Sequence, residues 1–164
     1  MLYLMLKLVH LLCVVIWVGG MVFAQFFLRP SIASLAPPQR LVLMRDVLGR
    51  FFATVLVASL LTLASGAWML MLAMQAGSTG TTGTTGIVGA AFHMPLAWTV
   101  MASLGVLMVA IFGHIRFVLY TRLVRAVAAQ NWPAGGAVMA QIRLWVSVNL
   151  GLGLAIIAAL KLAV

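Results

Sequence analysis

The sequence predicts an all-α fold: a polytopic membrane protein built as an antiparallel bundle of four transmembrane helices, with residues 1–164 forming one domain. The chain is 65% hydrophobic and only 7% charged, whereas soluble domains average about 25% charged residues. Four apolar segments are each close to or above the roughly 20 residues that cross a bilayer. Because lipid offers the backbone no hydrogen-bond partners, such segments fold as helices.

The first segment has one competing interpretation, because Val22-Phe23-Ala24 would pass as the cleavage site of a signal peptide. We expect the segment to be retained, since its apolar run continues to Leu28 and carries polar residues. The second helix is expected to begin before the membrane, because the sequence after Pro38 already has a helical pattern. The expected transmembrane helices cover about residues 3–28, 51–75, 91–120 and 144–162.

The charges are concentrated in two of the three connections. The formal net charge is +9, and Asp46 is the only acidic residue. Arginines flank the first and third connections, which is typical of segments that face an anionic cytoplasmic leaflet, so we expect a lipid bilayer and no nucleic acid as partner. The second connection, residues 77–86, is an uncharged Gly/Ser/Thr stretch, and the third connection is expected to turn at N-W-P-A-G-G, Asn131 to Gly136. The positive-inside rule therefore predicts a multi-pass protein of the bacterial inner membrane with both termini in the periplasm.

The first helix carries polar residues at membrane depth on a single face. The heptad spacing of these residues is that of the seam which a left-handed bundle turns inward. An ionisable side chain at that depth indicates a functional site. The residues on this face are Lys7, His10, Val14, Trp17 and Met21.

Two histidines are predicted to meet in the outer leaflet. The first and third helices both enter the membrane from the outside, which places His10 and His93 near the same surface. Facing imidazoles can hold a haem iron axially or bind copper, and thioether sulfur favours Cu(I). The copper hypothesis uses His10, His93, Met94 and Met5, and the haem b hypothesis uses His10, His93, Trp17 and Lys7.

Other polar residues are secondary candidates. His114 lies beside arginines at a helix end, where a structural hydrogen bond or headgroup contact is favoured over a ligand role. Asn149 is expected to link helices by hydrogen bonding, and Arg143 is a further candidate. Asp46 is the only carboxylate side chain, which excludes a hydrolase with paired carboxylates or a Ser-His-Asp triad. No catalytic residue is predicted, and any enzymatic activity would be that of a haem-dependent oxidoreductase.

Small residues indicate where helices approach closely in lipid. Gly19-Gly20 on the first helix is expected to serve such a contact. The stripe on the fourth helix is also a candidate surface for a homodimer. The stripes are Ala58, Thr62 and Gly66 on the second helix, and Ser147, Gly151, Ala155 and Ala159 on the fourth.

Several stretches together resemble the copper resistance protein D (CopD) family over nearly the whole chain. This resemblance implies a four-helix inner-membrane protein linked to the passage or delivery of copper, with a periplasmic copper carrier as a partner. The stretches are L-K-L-V-H-L-L-C-V-V-I-W-V-G-G-M-V-F in the first helix, R-F-F at Arg50, G-H-I-R-F at 113–117, R-L-V-R-A-V at 122–127 and I-R-L-W-V-S-V-N-L-G-L-G at 142–153.

The pattern K-x-x-H…W-x-x-G in the first helix, with a histidine at the start of the third, also resembles the HemJ-type protoporphyrinogen oxidase family. That family has a similar size and is associated with haem b, which implies a redox partner. It carries a lysine two residues after the third-helix histidine, where this sequence has Pro95. The shared positions are Lys7, His10, Trp17, Gly20 and His93.

Three functional hypotheses follow from the sequence. The first is a CopD-like protein that binds copper in the outer leaflet and takes part in copper uptake or delivery. The second is a haem b-binding redox protein of the membrane. The third is a structural membrane subunit without a cofactor, in which the histidines only form hydrogen bonds between helices. The absorption spectrum of the purified protein distinguishes the first two.

Overall fold

In the computed structural model, the described part of the chain contains only helices and turns, which confirms the predicted all-α architecture. The structure describes the backbone of residues 1–79 and 96–162 and the side chains of residues 1–75 and 98–159. Residues 77–79 of the uncharged second connection form the end of α2, while residues 80–86 and the expected start of the third helix lie outside these ranges. Within the described ranges, four helices are long and apolar enough to cross a membrane: α1 (Leu2–Ser31), α2 (Pro37–Thr79), α3 (residues 96–128) and α4 (Trp132–Leu162).

Three of these helices extend beyond the segments expected from hydropathy. Helix α2 has 43 residues, which is about 64 Å of helix against a hydrocarbon core of roughly 30 Å. It begins at Pro37, in agreement with the helical pattern after Pro38. Helix α3 continues to Ala128, and α4 begins at Trp132 rather than near Leu144. Hydropathy detects only the part of a helix that is apolar on every side, and these extensions are amphipathic.

The extensions pack against one another at the arginine-rich end. Leu41 and Leu48 of α2 are buried there, as are Leu123 and Val127 of α3. Gly135 of α4 lies so close to α2 that an added Cβ would be 3.1 Å from Leu41 Cδ1. The bundle therefore continues beyond the apolar segments, and its extensions share one continuous core with the apolar part.

The turn between α3 and α4 is shorter than the sequence indicated. Gln130 has a φ of 55°, and the N–H of Asn131 donates to the carbonyl of Ala126 at 2.9 Å, as in a helix C-terminus closed by a left-handed residue. Asn131 then caps α4, since its Oδ1 accepts from the N–H of Ala134 at 3.1 Å. The predicted turn N-W-P-A-G-G is thus wrong beyond Asn131, and its remainder forms the first turn of α4.

A chain of aromatic rings joins α1, α2 and α3 in the core. Trp17 packs edge-on against Phe112 at a centroid distance of 5.9 Å, and Phe112 packs in the same way against Phe52 at 6.0 Å. Phe52 in turn meets Tyr120 at 5.5 Å. The Tyr120 hydroxyl donates to the carbonyl of Arg45 at 3.1 Å. Such edge-to-face contacts add stabilisation beyond the area that the rings bury.

Burial is uneven along the bundle. On α1 the first buried residue is Cys13, and residues 1–12 are half-buried or exposed. On α2 the described residues beyond Ser59 include a single buried side chain, Ser65. Most of the apolar core that the described side chains form therefore lies in the half of the molecule that carries the arginines.

The predicted inward face of the first helix is confirmed except at its outer end. Trp17 and Met21 are buried, His10 and Val14 are half-buried, and Lys7 is exposed. The helix therefore turns its heptad seam inward from His10 onward.

The two adjacent glycines of the first helix differ in how closely they approach α2. An added Cβ at Gly20 would collide with the ring of Phe51 on α2, whereas an added Cβ at Gly19 would meet nothing within 4 Å. On α4, the close contact is made by Gly153, where an added Cβ would be 3.2 Å from Val18. Gly151, in the predicted small-residue stripe, faces open space. The α1 prediction is thus correct for one glycine of the pair.

We expect Gly20→Ala to lower the thermal stability of the detergent-solubilised protein, because the methyl group must displace Phe51 from its packed position. Overpacking of this kind costs about 1–3 kcal/mol. Gly19→Ala is the matched control and should leave the melting temperature nearly unchanged. Equal melting temperatures for the two variants would contradict the close contact of α1 with α2.

Candidate functional site

The candidate site is centred on His10, which α1 presents to α2 in the outer half of the bundle. Its Nδ1 lies 3.1 Å from the carbonyl oxygen of Thr62 and 3.1 Å from the hydroxyl oxygen of Ser65. The imidazole is half-buried, and Ser65 is 4% exposed. Histidine and serine thus form a polar contact between two helices that otherwise present apolar side chains at this level.

The hydrogen bonds of His10 fix the tautomer of its neutral ring. A carbonyl oxygen only accepts, so the contact with Thr62 places the proton on Nδ1. The Ser65 hydroxyl can donate to the carbonyl of Leu61, which lies 2.6 Å away, and its oxygen then accepts from the same Nδ1–H. In the neutral imidazole this leaves Nε2 with a free lone pair. Both hydrogen bonds between His10 and described residues use Nδ1, so Nε2 is available to a ligand.

The surface of α2 is shaped to accept the imidazole. Gly66 lies against the ring, since an added Cβ would be 3.4 Å from His10 Cε1. The hydroxyl of Thr62, whose carbonyl accepts from His10, is buried and has no hydrogen-bond partner among the described residues. A buried polar atom without a partner is uncommon in native proteins. The site therefore offers one positioned nitrogen and one unsatisfied hydroxyl.

An apolar groove of about 210 Å³ runs along the outer ends of α1 and α2 next to this site. Met5 and Trp68 line it together with Ser65, so Ser65 borders the groove and also contacts His10. Met5 precedes His10 by five positions, which corresponds to about 140° around an α-helix. The described structure thus places the Met5 thioether on a different side of α1 from the His10 imidazole.

The remaining predicted site residues lie in different surroundings. Trp17 packs in the aromatic core against Phe112, and Lys7 is exposed at the outer end of α1. His93 and Met94 lie outside the described residues, so the predicted pairing of His10 with His93 stays a prediction. Among the described residues, no cluster of three or more His, Cys, Asp or Glu side chains is placed to hold a metal ion.

The secondary candidates do not join the His10 site. His114 is exposed and packs edge-on against Trp145 at a centroid distance of 5.6 Å. Asn149 is 1% exposed, and its Oδ1 has no hydrogen-bond partner within the described ranges. The expected interhelical hydrogen bond through that oxygen is therefore not seen. Arg143 lines a separate groove at the arginine-rich end.

The partners of His10 on α2 were not predicted as site residues. The small-residue stripe included Thr62 and Gly66, but it indicated only helix packing. The hydrogen bond to Thr62 uses a backbone carbonyl, which has no signature in the sequence. The one available signal was Ser65, a polar residue within an apolar span.

Four apolar helices that cross at close contacts define a multi-pass helical membrane protein. Residues 45–163 match the family described as copper resistance protein D, and the chain belongs to that family. The match begins in α2, so it includes Thr62, Ser65 and Gly66, while His10 precedes it. The matched region is shorter than the resemblance seen in the sequence, which covered nearly the whole chain. No curated protein and no solved structure matched the chain.

We expect nitrogen NMR of the ¹⁵N-histidine-labelled protein to show that the neutral form of His10 carries its proton on Nδ1. The physical reason is the fixed acceptor at Thr62. The His10 signals are those that disappear in the His10→Gln variant. Gly66→Val should shift these signals, because the larger side chain displaces the ring, while leaving those of His114 in place. A proton on Nε2 of His10 would contradict the site geometry.

Proposed function

We propose that the protein binds copper in the outer half of the bundle and takes part in copper uptake or delivery across the bacterial inner membrane. In this proposal His10 is a ligand through Nε2, and His93 and Met94 complete the site, with Met5 at its outer entrance. The observation that carries the proposal is the hydrogen bond from His10 Nδ1 to the Thr62 carbonyl. Histidines that ligate metals characteristically donate their second ring nitrogen in this way.

The hydrogen bond supports metal binding in two respects. It holds the ring in one orientation, and it increases the basicity of the opposite nitrogen. The Ser65 hydroxyl adds a second acceptor for the same proton. The ring therefore meets an incoming ion without first losing a proton or rotating.

The charge distribution supports a soft, monovalent ion. The single acidic residue, Asp46, pairs with Arg45 at 2.8 Å in the arginine-rich half, away from His10. Hard divalent cations prefer carboxylate oxygens, whereas imidazole and thioether donors suit Cu(I). A donor set of neutral nitrogen and sulfur atoms thus favours Cu(I).

The exposure of the methionines supports the same assignment. In the arginine-rich half the methionines fill the apolar core, as is usual for this residue. At the outer end they project from the helices and present accessible thioethers. Met1, Met5, Met71 and Met74 are more than half exposed, whereas Met21, Met44 and Met108 are buried.

The positions of the arginines give the proposed orientation of the bundle in the membrane. All eight lie toward the same end of the molecule, which the positive-inside rule assigns to the cytoplasm. In that orientation the His10 site and both termini face the periplasm. A periplasmic copper carrier is then the partner that would deliver or receive the ion. A redox partner belongs to the haem b alternative.

We expect the purified protein to bind Cu(I) in competition with a chromophoric chelator, and His10→Ala to weaken this binding by more than roughly 100-fold. Removing only the hydrogen-bond partner of a metal ligand lowers the metal affinity roughly 10–100-fold, so removing the ligand itself should lower the affinity further. His114→Ala is the matched control and should bind within about twofold of the unmodified chain.

The same preparation tests the two alternatives. A Soret band that disappears in His10→Ala would support haem b and contradict the copper assignment. A colourless protein that binds Cu(I) equally well with and without His10 would show that the ion is held elsewhere. Absence of both haem and Cu(I) binding would favour the structural subunit.

A further inference from the structure

A second groove lies at the opposite end of the bundle from His10. It has a volume of about 280 Å³ and is enclosed by α1, α2 and α4. Each of these helices contributes one arginine to its lining: Arg29 from α1, Arg40 from α2 and Arg143 from α4. Arg29 is exposed, and the other two are half-buried. Three cationic side chains from distant parts of the sequence thus converge on one cavity.

No carboxylate side chain neutralises this cluster. Asp46 is the only acidic residue of the chain, and its carboxylate pairs with Arg45 at 2.8 Å. Arg143 lies within electrostatic range of both Arg29 and Arg40. Like charges held this close repel one another, and the repulsion is greater where the surroundings are partly apolar. The groove therefore has a strong preference for an anion.

The floor of the groove is apolar. Leu41, Met44 and Leu48 of α2 form one side, and Ile142 and Val146 of α4 form the other. All five side chains are buried. A free inorganic anion would gain nothing from such a floor, whereas an acyl chain would lie against it favourably.

The wall of the groove is held in place by a local irregularity of α1. Residues Phe23–Leu28 form a π-helical turn. Such turns are rare in proteins overall, but those that occur are often found at functional sites. Gln25 in this turn lines the groove and donates a hydrogen bond to the Ser147 hydroxyl of α4. The groove is thus preformed, with α1 fixed to α4 at its edge.

We propose that this groove binds an anionic phospholipid, with the phosphate between the three guanidinium groups and an acyl chain along the apolar floor. Arg29 follows the apolar run of α1 directly, which puts the cluster at the level of lipid headgroups. Guanidinium groups bind phosphate oxygens in bidentate fashion. The lipid occupies a defined site between helices, distinct from the general attraction of basic loops to an anionic surface.

The test is a titration of the detergent-purified full chain with phosphatidylglycerol, followed by native mass spectrometry. The triple variant Arg29→Gln, Arg40→Gln, Arg143→Gln removes the cluster. A second triple variant, Arg50→Gln, Arg122→Gln, Arg125→Gln, removes the same charge from exposed positions that do not line the groove. Each basic group near the lipid raises the affinity about fivefold. The groove variant, which lacks three such groups, should therefore bind phosphatidylglycerol roughly 100-fold more weakly.

The control variant should retain binding within about threefold, and phosphatidylcholine should bind weakly to every form. If the groove triple variant does not fold, as judged by circular dichroism, Arg40→Gln alone should still lose about fivefold. Equal losses in both triple variants would overturn the proposal, since net charge alone would then explain binding. Inorganic phosphate that binds as tightly as phosphatidylglycerol, with the same arginine dependence, would also overturn it, because the acyl chain would then contribute nothing.

Discussion

Helix α1 lies directly against α2 because Gly20 presents no side chain to the ring of Phe51. This close approach sets the register of the two helices along their whole length. It brings His10 to the Thr62 carbonyl in the outer half and Arg29 to the level of Arg40 in the other half. Both candidate sites therefore depend on one helix contact that neither site contains. In lipid, where the hydrophobic effect does not hold helices together, such van der Waals contacts carry much of the packing energy.

The sequence predicted the features that follow from periodicity and hydropathy. Local patterns predicted the four helices and the inward face of α1 with Trp17 and Met21. They also indicated His10 as a polar residue between helices. The amphipathic extensions were underestimated, because a hydropathy window reports lipid contact rather than helix length. The turn at Asn131 was misjudged because proline is also common in the first turn of a helix, and here Gly135 packs closely against Leu41.

The sites could be predicted only in part, for a physical reason. The His10 imidazole has a sequence signature, but its acceptor is a main-chain carbonyl that any residue would supply. The cluster of Arg29, Arg40 and Arg143 requires the relative depth of three helices, which is fixed by side-chain packing across the interface. Helical spacing within one segment carries no information about that depth. A glycine such as Gly153, which sets the α1–α4 distance, is equally invisible until its neighbour Val18 is known.

The uneven burial of the bundle has a consequence for motion. The aromatic core joins three helices in the arginine-rich half, whereas the described outer ends of α1 and α2 contain few buried side chains and meet at the polar contact of His10 with Ser65. Segments with few buried apolar contacts open at a much lower free energy than the global unfolding of a protein. We therefore expect the outer ends of α1 and α2 to open at a lower free energy than the arginine-rich half. The His10 imidazole lies between these two ends, so local opening is expected to control the access of a ligand to its ring.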